Sequence, residues 1–178
     1  LPNDYYRNVK SIYVYPTTII SPESPIGFFE VPTSPVRGPM PILGEAHHRG
    51  PVLLVWDEVK RETRDPEHGH NVVFHEFAHK LDMLDGSADG TPLLPTPEEY
   101  QRWSEVCSKE YLELCERVEH GRPTFFDSYA ATDEAEFFAV VTETFFCKPE
   151  NMKHHHPKLY QVLQDFYRQD PAQKVSTN

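Results

Sequence analysis

One helical segment, residues 71–86, constrains this chain most, because three polar residues occupy fixed positions in an otherwise apolar run. His75, Glu76 and His79 form the pattern His-Glu-x-x-His. On an α-helix, positions i and i+4 lie on one face about a turn apart, so the two imidazoles can reach one tetrahedral metal ion. Glu76 then lies beside the ion without binding it, where a general base can take a proton from water. The spacing predicts a zinc site on this helix.

The flanks of the motif argue against coincidence. A chain with ten histidines can contain the pattern by chance on a solvated surface helix. A solvated helix, however, would carry fewer apolar side chains than this segment does. A buried helix must satisfy the polar atoms of two histidines and a glutamate, and a metal ion does so. The apolar residues of the segment are Val72, Val73, Phe74, Phe77, Ala78, Leu81 and Leu84.

Composition limits the partners and the location. A net charge of −11 and an isoelectric point near 5.3 argue against a nucleic-acid-binding face, so we expect no direct nucleic-acid ligand. No apolar run approaches the roughly 20 residues that cross a bilayer, and the N-terminus carries no signal pattern, so we expect a soluble protein without membrane contact. Three cysteines without a disulfide framework suggest reduced thiols and a cytoplasmic location. The length of 178 residues predicts one compact domain over residues 1–178.

Strands are predicted in the first third of the chain and helices in the rest. Residues 11–15 are β-rich, and residues 51–59 give the strongest strand signal, with an apolar core from Val52 to Trp56. The proline-rich stretch between them is predicted as loop with one short strand at Gly27–Val31. The motif helix should end at Gly86, a natural left-handed cap. Further helices are predicted over residues 97–119, with a capping box of Thr96 and Glu99, over residues 133–147, and from Pro157 to a point before Pro171.

A catalytic zinc site needs a third protein ligand and one open position, and three residues compete for that role. Glu136 lies near the start of an apolar helix, although it could instead be the third residue of a capping box begun by Asp133. Glu143, two turns later on the same face, is either the alternative ligand or a partner that orients a histidine. His120 precedes a helix-ending glycine and has the weakest claim.

The other histidines have simpler explanations. The run His154–His156 points in several directions and predicts a solvated turn before Pro157. The pair at residues 47–48 is interpreted in the same way. His68 and His70 precede the motif helix and either line the mouth of a cleft or are ordinary loop residues, the second being the simpler interpretation.

Several stretches together resemble the Mlc titration factor A family of zinc peptidases, over about Tyr13 to Pro171. That family is similar to the catalytic domain of anthrax lethal factor, in which a metal-ligand glutamate follows a tyrosine by seven positions, as Glu136 follows Tyr129 here. The stretches that carry the resemblance are Gly50-Pro51-Val52-Leu53-Leu54-Val55-Trp56, the segment from Gly69 to Met83, and Tyr129-Ala130-Ala131-Thr132 with Ala135-Glu136-Phe137-Phe138-Ala139-Val140.

The resemblance implies an α+β, zincin-like fold, mainly helical, with a small sheet whose edge strand flanks the motif helix. It implies one Zn²⁺ bound by His75, His79 and Glu136. It further implies Glu76 as general base and Tyr129 as donor to the developing oxyanion.

The chain departs from related patterns at two places. A thermolysin-type site has an aspartate four positions after the ligand glutamate, and Val140 stands there. The carboxylate that orients a histidine must come from elsewhere, with Asp82 and Glu143 as candidates. Family members also begin with an N-terminal helical region that we expect this chain to lack.

Two functions follow as expectations. The first is a zinc peptidase, an aminopeptidase or short-peptide hydrolase, whose peptide substrate pairs with Val52–Trp56 as an edge strand. The second is a zinc-containing regulatory protein that binds a transcriptional repressor and has little peptidase activity. Glu76 and Tyr129 favour the enzyme, because a purely structural zinc site needs neither.

Overall fold

The computed structural model describes residues 5–17, 19–20, 41–42, 44–46, 50–64 and 68–175. Strands occupy the first part of this described chain and helices the rest, so the fold is α+β and mainly helical, as expected. The strands are β1 (Ile12–Tyr15), β2 (Ile19–Ile20), β3 (Pro41–Ile42), β4 (Gly44–Ala46) and β5 (Val52–Val55). The helices are α1 (Trp56–Arg64), α2 (Val72–Asp82), α3 (Pro97–Glu119), α4 (Glu134–Cys147), α5 (Pro149–His155), α6 (Pro157–Tyr167) and α7 (Pro171–Val175), with a 3₁₀ turn at Ser128–Ala131.

Strand β5 lies at the centre of a three-stranded sheet, parallel to β1 and antiparallel to β4. The prediction that Val52–Trp56 is an edge strand is therefore wrong, because both of its sides are paired. Val52 and Val55 are buried, as the continuous apolar run of a central strand requires. The edge strand that lies beside α2 is β4.

Helix α1 replaces the last part of the predicted strand 51–59 and the loop after it. The strand ends at Val55, and Trp56 begins the helix. Acidic residues in the first turn and basic residues in the last suit the helix dipole, and Lys60 Nζ lies 2.8 Å from Asp57 Oδ1. This short helix has no wide apolar stripe, so hydrophobic periodicity did not reveal it.

Asn71 is the N-cap of helix α2, and its side-chain oxygen accepts hydrogen bonds from the amides of Val73 and Phe74. It ends at Asp82, earlier than predicted, because the backbone then makes the shorter-range bonds of a turn, from Leu84 N to Leu81 O and from Gly86 N to Met83 O. The Asp82 carboxylate accepts a hydrogen bond from the Gly90 amide at 3.0 Å. Gly86 lies in the turn that follows, with a φ of +107°.

Helix α4 forms the centre of the hydrophobic core, and every residue from 137 to 145 is buried. The ring of Phe138 lies 5.4 Å from that of Trp103 on α3 and 6.1 Å from that of Phe166 on α6. Helix α3 starts with the predicted capping box of Thr96 and Glu99. Two of the predicted helices, now α3 and α6, therefore pack against the third, α4.

The histidine run belongs to a helix that was not predicted. His154 and His155 are exposed in α5, but His156 joins α5 to α6 and is half-buried. Its Nδ1 lies 2.7 Å from Glu110 Oε2, and its ring packs 4.7 Å from that of Phe126. The solvated-turn prediction is wrong for His156.

Some expectations are not tested by this structure. The predicted strand at Gly27–Val31 and the histidines at 47–48 lie outside the described residues. The single domain over residues 1–178 and the cytoplasmic location stay predictions. Among the helices that the structure describes, none is long and apolar enough to cross a bilayer.

We expect Phe138→Ala to lower the free energy of unfolding by about 3–5 kcal/mol, because the cavity would lie between three helices. Leu112→Ala is the matched control, since that side chain is 65% exposed on α3, and it should change the free energy by less than about 0.5 kcal/mol. Urea denaturation of metal-free protein measures both. Equal effects would contradict the assignment of α4 to the core.

Candidate metal centre

Helices α2 and α4 pack together and bring three side chains to one point. His75 Nε2 lies 3.2 Å from His79 Nε2 and 3.0 Å from Glu136 Oε2, and His79 Nε2 lies 3.5 Å from that same oxygen. All three atoms fall within 4.8 Å of one another, so the group could hold a metal ion. The candidate third residue that joins the histidines is thus Glu136.

A bound cation would satisfy the three atoms better than hydrogen bonds among themselves do. Glu136 Oε2 is completely buried, yet no hydrogen-bond donor is directed at it. The Nδ1–H of His75 donates to Glu143 Oε1 at 2.7 Å, so a neutral His75 presents a lone pair at Nε2. Two imidazole nitrogens and a carboxylate oxygen are a donor set suited to zinc. The residues therefore fit the metal that the motif predicts.

The electrostatics of the group also favour positive charge. Burial lowers the pKa of His75, but the Glu136 and Glu143 carboxylates outweigh burial and raise that pKa to about 10. Burial raises the pKa of Glu136, and His75 and His79 outweigh it and hold that pKa well below its usual range. A proton or a metal ion is thus stabilised at the same place.

Glu143 lies behind His75 rather than among the three converging atoms. Its Oε1 accepts from His75 Nδ1, and its Oε2 accepts from the backbone amide of Asn71 at 2.6 Å. Because a hydrogen bond at one ring nitrogen sets the tautomer, Glu143 turns Nε2 of His75 towards Glu136. Of the two roles that its sequence position allowed, the geometry matches the orienting partner.

Asp82 lies near the other histidine. The pKa of Asp82 is raised to about 6, mainly by burial. Asp89 also raises this pKa, whereas the Gly90 amide and the charge of His79 lower it. Asp82 Oδ1 and His79 Nδ1 are both buried without a hydrogen bond. Glu143 is therefore the carboxylate that orients a histidine by direct contact, and Asp82 acts on His79 electrostatically.

Glu76 and Tyr129 both lie near the group. Glu76 is buried next to His75 on α2, and its charge acts on both His75 and Tyr129. Tyr129 is 52% exposed, and its ring lies 6.2 Å from that of His75. Burial, the charge of Glu136 and a hydrogen bond with Glu136 raise the pKa of Tyr129 to about 12. The tyrosine hydroxyl therefore keeps its proton and can donate it.

The other histidines considered from the sequence differ in their distance from the metal centre. His120 is exposed at the end of α3, with Nδ1 2.7 Å from Glu116 O, and is not part of the group. His70 lies close by, with Nε2 3.5 Å from Asp127 Oδ2. The only sequence signal for His70 was its place before the motif helix. Nothing in the sequence pattern singled out Asp127, whose Oδ1 accepts from the Tyr129 amide at 2.8 Å.

A helix with two histidines that meet a glutamate from a second helix is an arrangement typical of metallopeptidase sites. Residues 1–168 match the family model described as Glucose-regulated metallo-peptidase M90, and the chain belongs to that family.

The protein slr2042 of Synechocystis is 40% identical over 174 residues, covering 96% of this chain and 62% of that protein. Mlc titration factor A of Salmonella schwarzengrund is 36% identical over 138 residues, covering 76% of this chain and 51% of that protein. Mlc titration factor A of Edwardsiella ictaluri is 37% identical over 141 residues, covering 78% and 53%. The chain thus spans between half and two thirds of the length of these relatives.

These matches confirm the resemblance to the Mlc titration factor A family. The similarity to anthrax lethal factor and the zincin-like fold stay predictions.

Zinc should stabilise the protein through these three residues. At a zinc concentration of about 100 times the dissociation constant, binding adds about 2.7 kcal/mol, which corresponds to roughly 5–10 °C in Tm for a chain of this size. Glu136→Ala should abolish the shift, and His120→Ala should keep it. Differential scanning fluorimetry after chelation and zinc addition measures this. A normal shift in Glu136→Ala would point to Glu143 as the third ligand.

Proposed function

We propose that the protein is a zinc-dependent peptidase, an aminopeptidase or short-peptide hydrolase, that binds one Zn²⁺ through His75, His79 and Glu136. The observation that carries the proposal is the convergence of His75 Nε2, His79 Nε2 and Glu136 Oε2, with the buried Glu76 next to His75 on α2. Membership of a metallopeptidase family supports the same class of reaction.

Glu76 is the general base in this reaction. Zinc held by His75, His79 and Glu136 would lower the pKa of a water molecule to about 7 and would polarise the substrate carbonyl. Glu76 accepts a proton from the water as the oxygen adds to the carbonyl carbon, and it passes that proton to the leaving amine as the C–N bond breaks. Glu76 follows His75 in the sequence and is buried, and its charge acts on both His75 and Tyr129.

Tyr129 donates its hydroxyl proton in a hydrogen bond to the oxygen of the tetrahedral intermediate. Its raised pKa, about 12, keeps the hydroxyl protonated at neutral pH. Its half-exposed ring leaves room for a substrate to approach. One well-placed donor of this kind is worth about 2.7–4 kcal/mol in the transition state.

The peptide pairs with β4 rather than with β5. Among the described strands, β4 has one partner and lies beside α2, whereas β5 is paired on both sides. An extended peptide can hydrogen-bond to an open strand edge through its backbone. The substrate backbone would then run past the metal centre.

Glu76→Gln should keep zinc and lose activity, because an amide cannot accept the proton from water. We expect kcat to fall by a factor of about 10²–10⁴, measured on a peptide library with zinc content determined in parallel. Glu119→Gln, an exposed change on α3, is the matched control and should be fully active. Full activity of zinc-loaded Glu76→Gln would sink the mechanism.

Tyr129→Phe should lower kcat by a factor of about 10²–10³ with little change in KM, because the donor acts in the transition state. Its zinc affinity should match that of the unaltered protein. Tyr13→Phe is the control, since Tyr13 is a similarly exposed tyrosine on β1. A change in KM alone would show that Tyr129 binds substrate without assisting the reaction.

The second candidate is a zinc-containing regulatory protein that binds a transcriptional repressor and has little peptidase activity. The name of the relatives, Mlc titration factor A, favours it. Cleavage of a peptide library that a chelator stops supports the peptidase. Complete absence of cleavage by folded, zinc-loaded protein supports the regulator.

A further inference from the structure

His70 lies beside the metal centre without a part in the proposed reaction. Its ring is 45% exposed, and its two nitrogens face carboxylates from different parts of the fold. Nε2 lies 3.5 Å from Asp127 Oδ2, and Nδ1 lies 3.9 Å from Glu143 Oε2. The imidazole thus stands between the turn that carries Tyr129 and helix α4.

The backbone on both sides of His70 is held in place. Gly69 has a φ of +81°, which favours glycine, and a Cβ atom there would come within 2.6 Å of Lys148 Cε. On the other side, the Asn71 amide donates to Glu143 Oε2 at 2.6 Å. Both contacts fix the backbone from which the His70 side chain projects. This limits where the imidazole can lie, as the support around functional sites does.

Each carboxylate that faces His70 supports a different half of the site. Asp127 Oδ1 accepts from the Tyr129 amide and begins the 3₁₀ turn, while Oδ2 faces His70. Glu143 Oε1 accepts from His75 Nδ1, while Oε2 faces His70 and Asn71. One side chain thus touches the support of the tyrosine and the support of a metal-binding histidine.

We propose that His70 is a positioning residue that ties the Asp127 carboxylate to the Glu143 carboxylate. Through these groups it holds the turn of Tyr129 and the metal-binding His75 in position relative to each other. The inference rests on the proposed function, because that function gives Tyr129 its role. The competing interpretation is an idle surface histidine, whose contacts with nearby carboxylates contribute little.

The first experiment compares His70→Ala with His154→Ala, an exposed histidine on α5. We expect His70→Ala to lower kcat by a factor of about 10 with KM nearly unchanged, because small misplacements of a catalytic group cost rate. The zinc dissociation constant, measured by chelator competition, should rise about three- to tenfold, less than when a direct partner of a ligand is lost. His154→Ala should match the unaltered protein.

Two conservative variants separate the two contacts. The amide nitrogen of glutamine can reach the position of Nε2, so His70→Gln should restore much of kcat while zinc binding stays weak. The amide nitrogen of asparagine corresponds to Nδ1, so His70→Asn should restore zinc affinity while kcat stays low. A purely structural role would change the thermal stability of the metal-free protein and produce no such split.

A double-mutant cycle tests the link through Asp127. If His70 acts through this carboxylate, the loss of kcat in the doubly substituted His70→Ala, Asp127→Ala protein should be smaller than the product of the single losses. If the loss of kcat in the double variant equals the product of the single losses, His70 does not act on Tyr129 through Asp127.

The outcomes distinguish this inference from the proposed function. Equal kcat and equal zinc dissociation constants for His70→Ala and His154→Ala would overturn the role of His70 and leave the peptidase standing. If the unaltered chain binds zinc but cleaves no peptide, the proposed function fails. The zinc dissociation constant of His70→Ala then decides the role of His70 alone.

Discussion

The burial of the Glu143 carboxylate between α2 and α4 is the interaction on which the rest of the structure depends. A carboxylate so nearly excluded from solvent is costly unless donors satisfy it, and here His75 Nδ1–H and the Asn71 amide do so. These hydrogen bonds join the start of α2 to the middle of α4 and orient the first histidine of the motif. The same contact carries Glu136, two turns earlier on α4, up to the imidazoles.

The site divides into a rigid part and an accessible part. The converging nitrogen and oxygen atoms lie on two helices packed in the core, where side chains keep their geometry. Tyr129 and His70 lie on short segments at the surface, which can meet a substrate. Asp127 bonds to the Tyr129 amide in the accessible part and Glu143 bonds to His75 in the rigid part, and His70 lies between these two carboxylates.

Elements with strong local signals could be predicted from the sequence, and those that depend on distant partners could not. The capping box at Thr96 and the proline after it identified the start of α3 to the residue, because capping involves only neighbouring groups. The central place of β5 depends on its pairing with both β1 and β4, and no local pattern specifies which strands pair. Helix α1 was missed because charges rather than apolar periodicity mark it.

By itself, the sequence determined that two histidines and a glutamate share one helix at metal-binding spacing, because the helical repeat is a local property. It also narrowed the carboxylate candidates for the third metal ligand to Glu136 and Glu143. Its residue pattern did not separate Glu136 from Glu143, which lie seven residues apart on one face of α4, and only the family resemblance favoured Glu136. Only the tertiary structure gives the two carboxylates different positions, because the packing of α4 on α2 brings Glu136 to Nε2 of His75 and Glu143 to Nδ1.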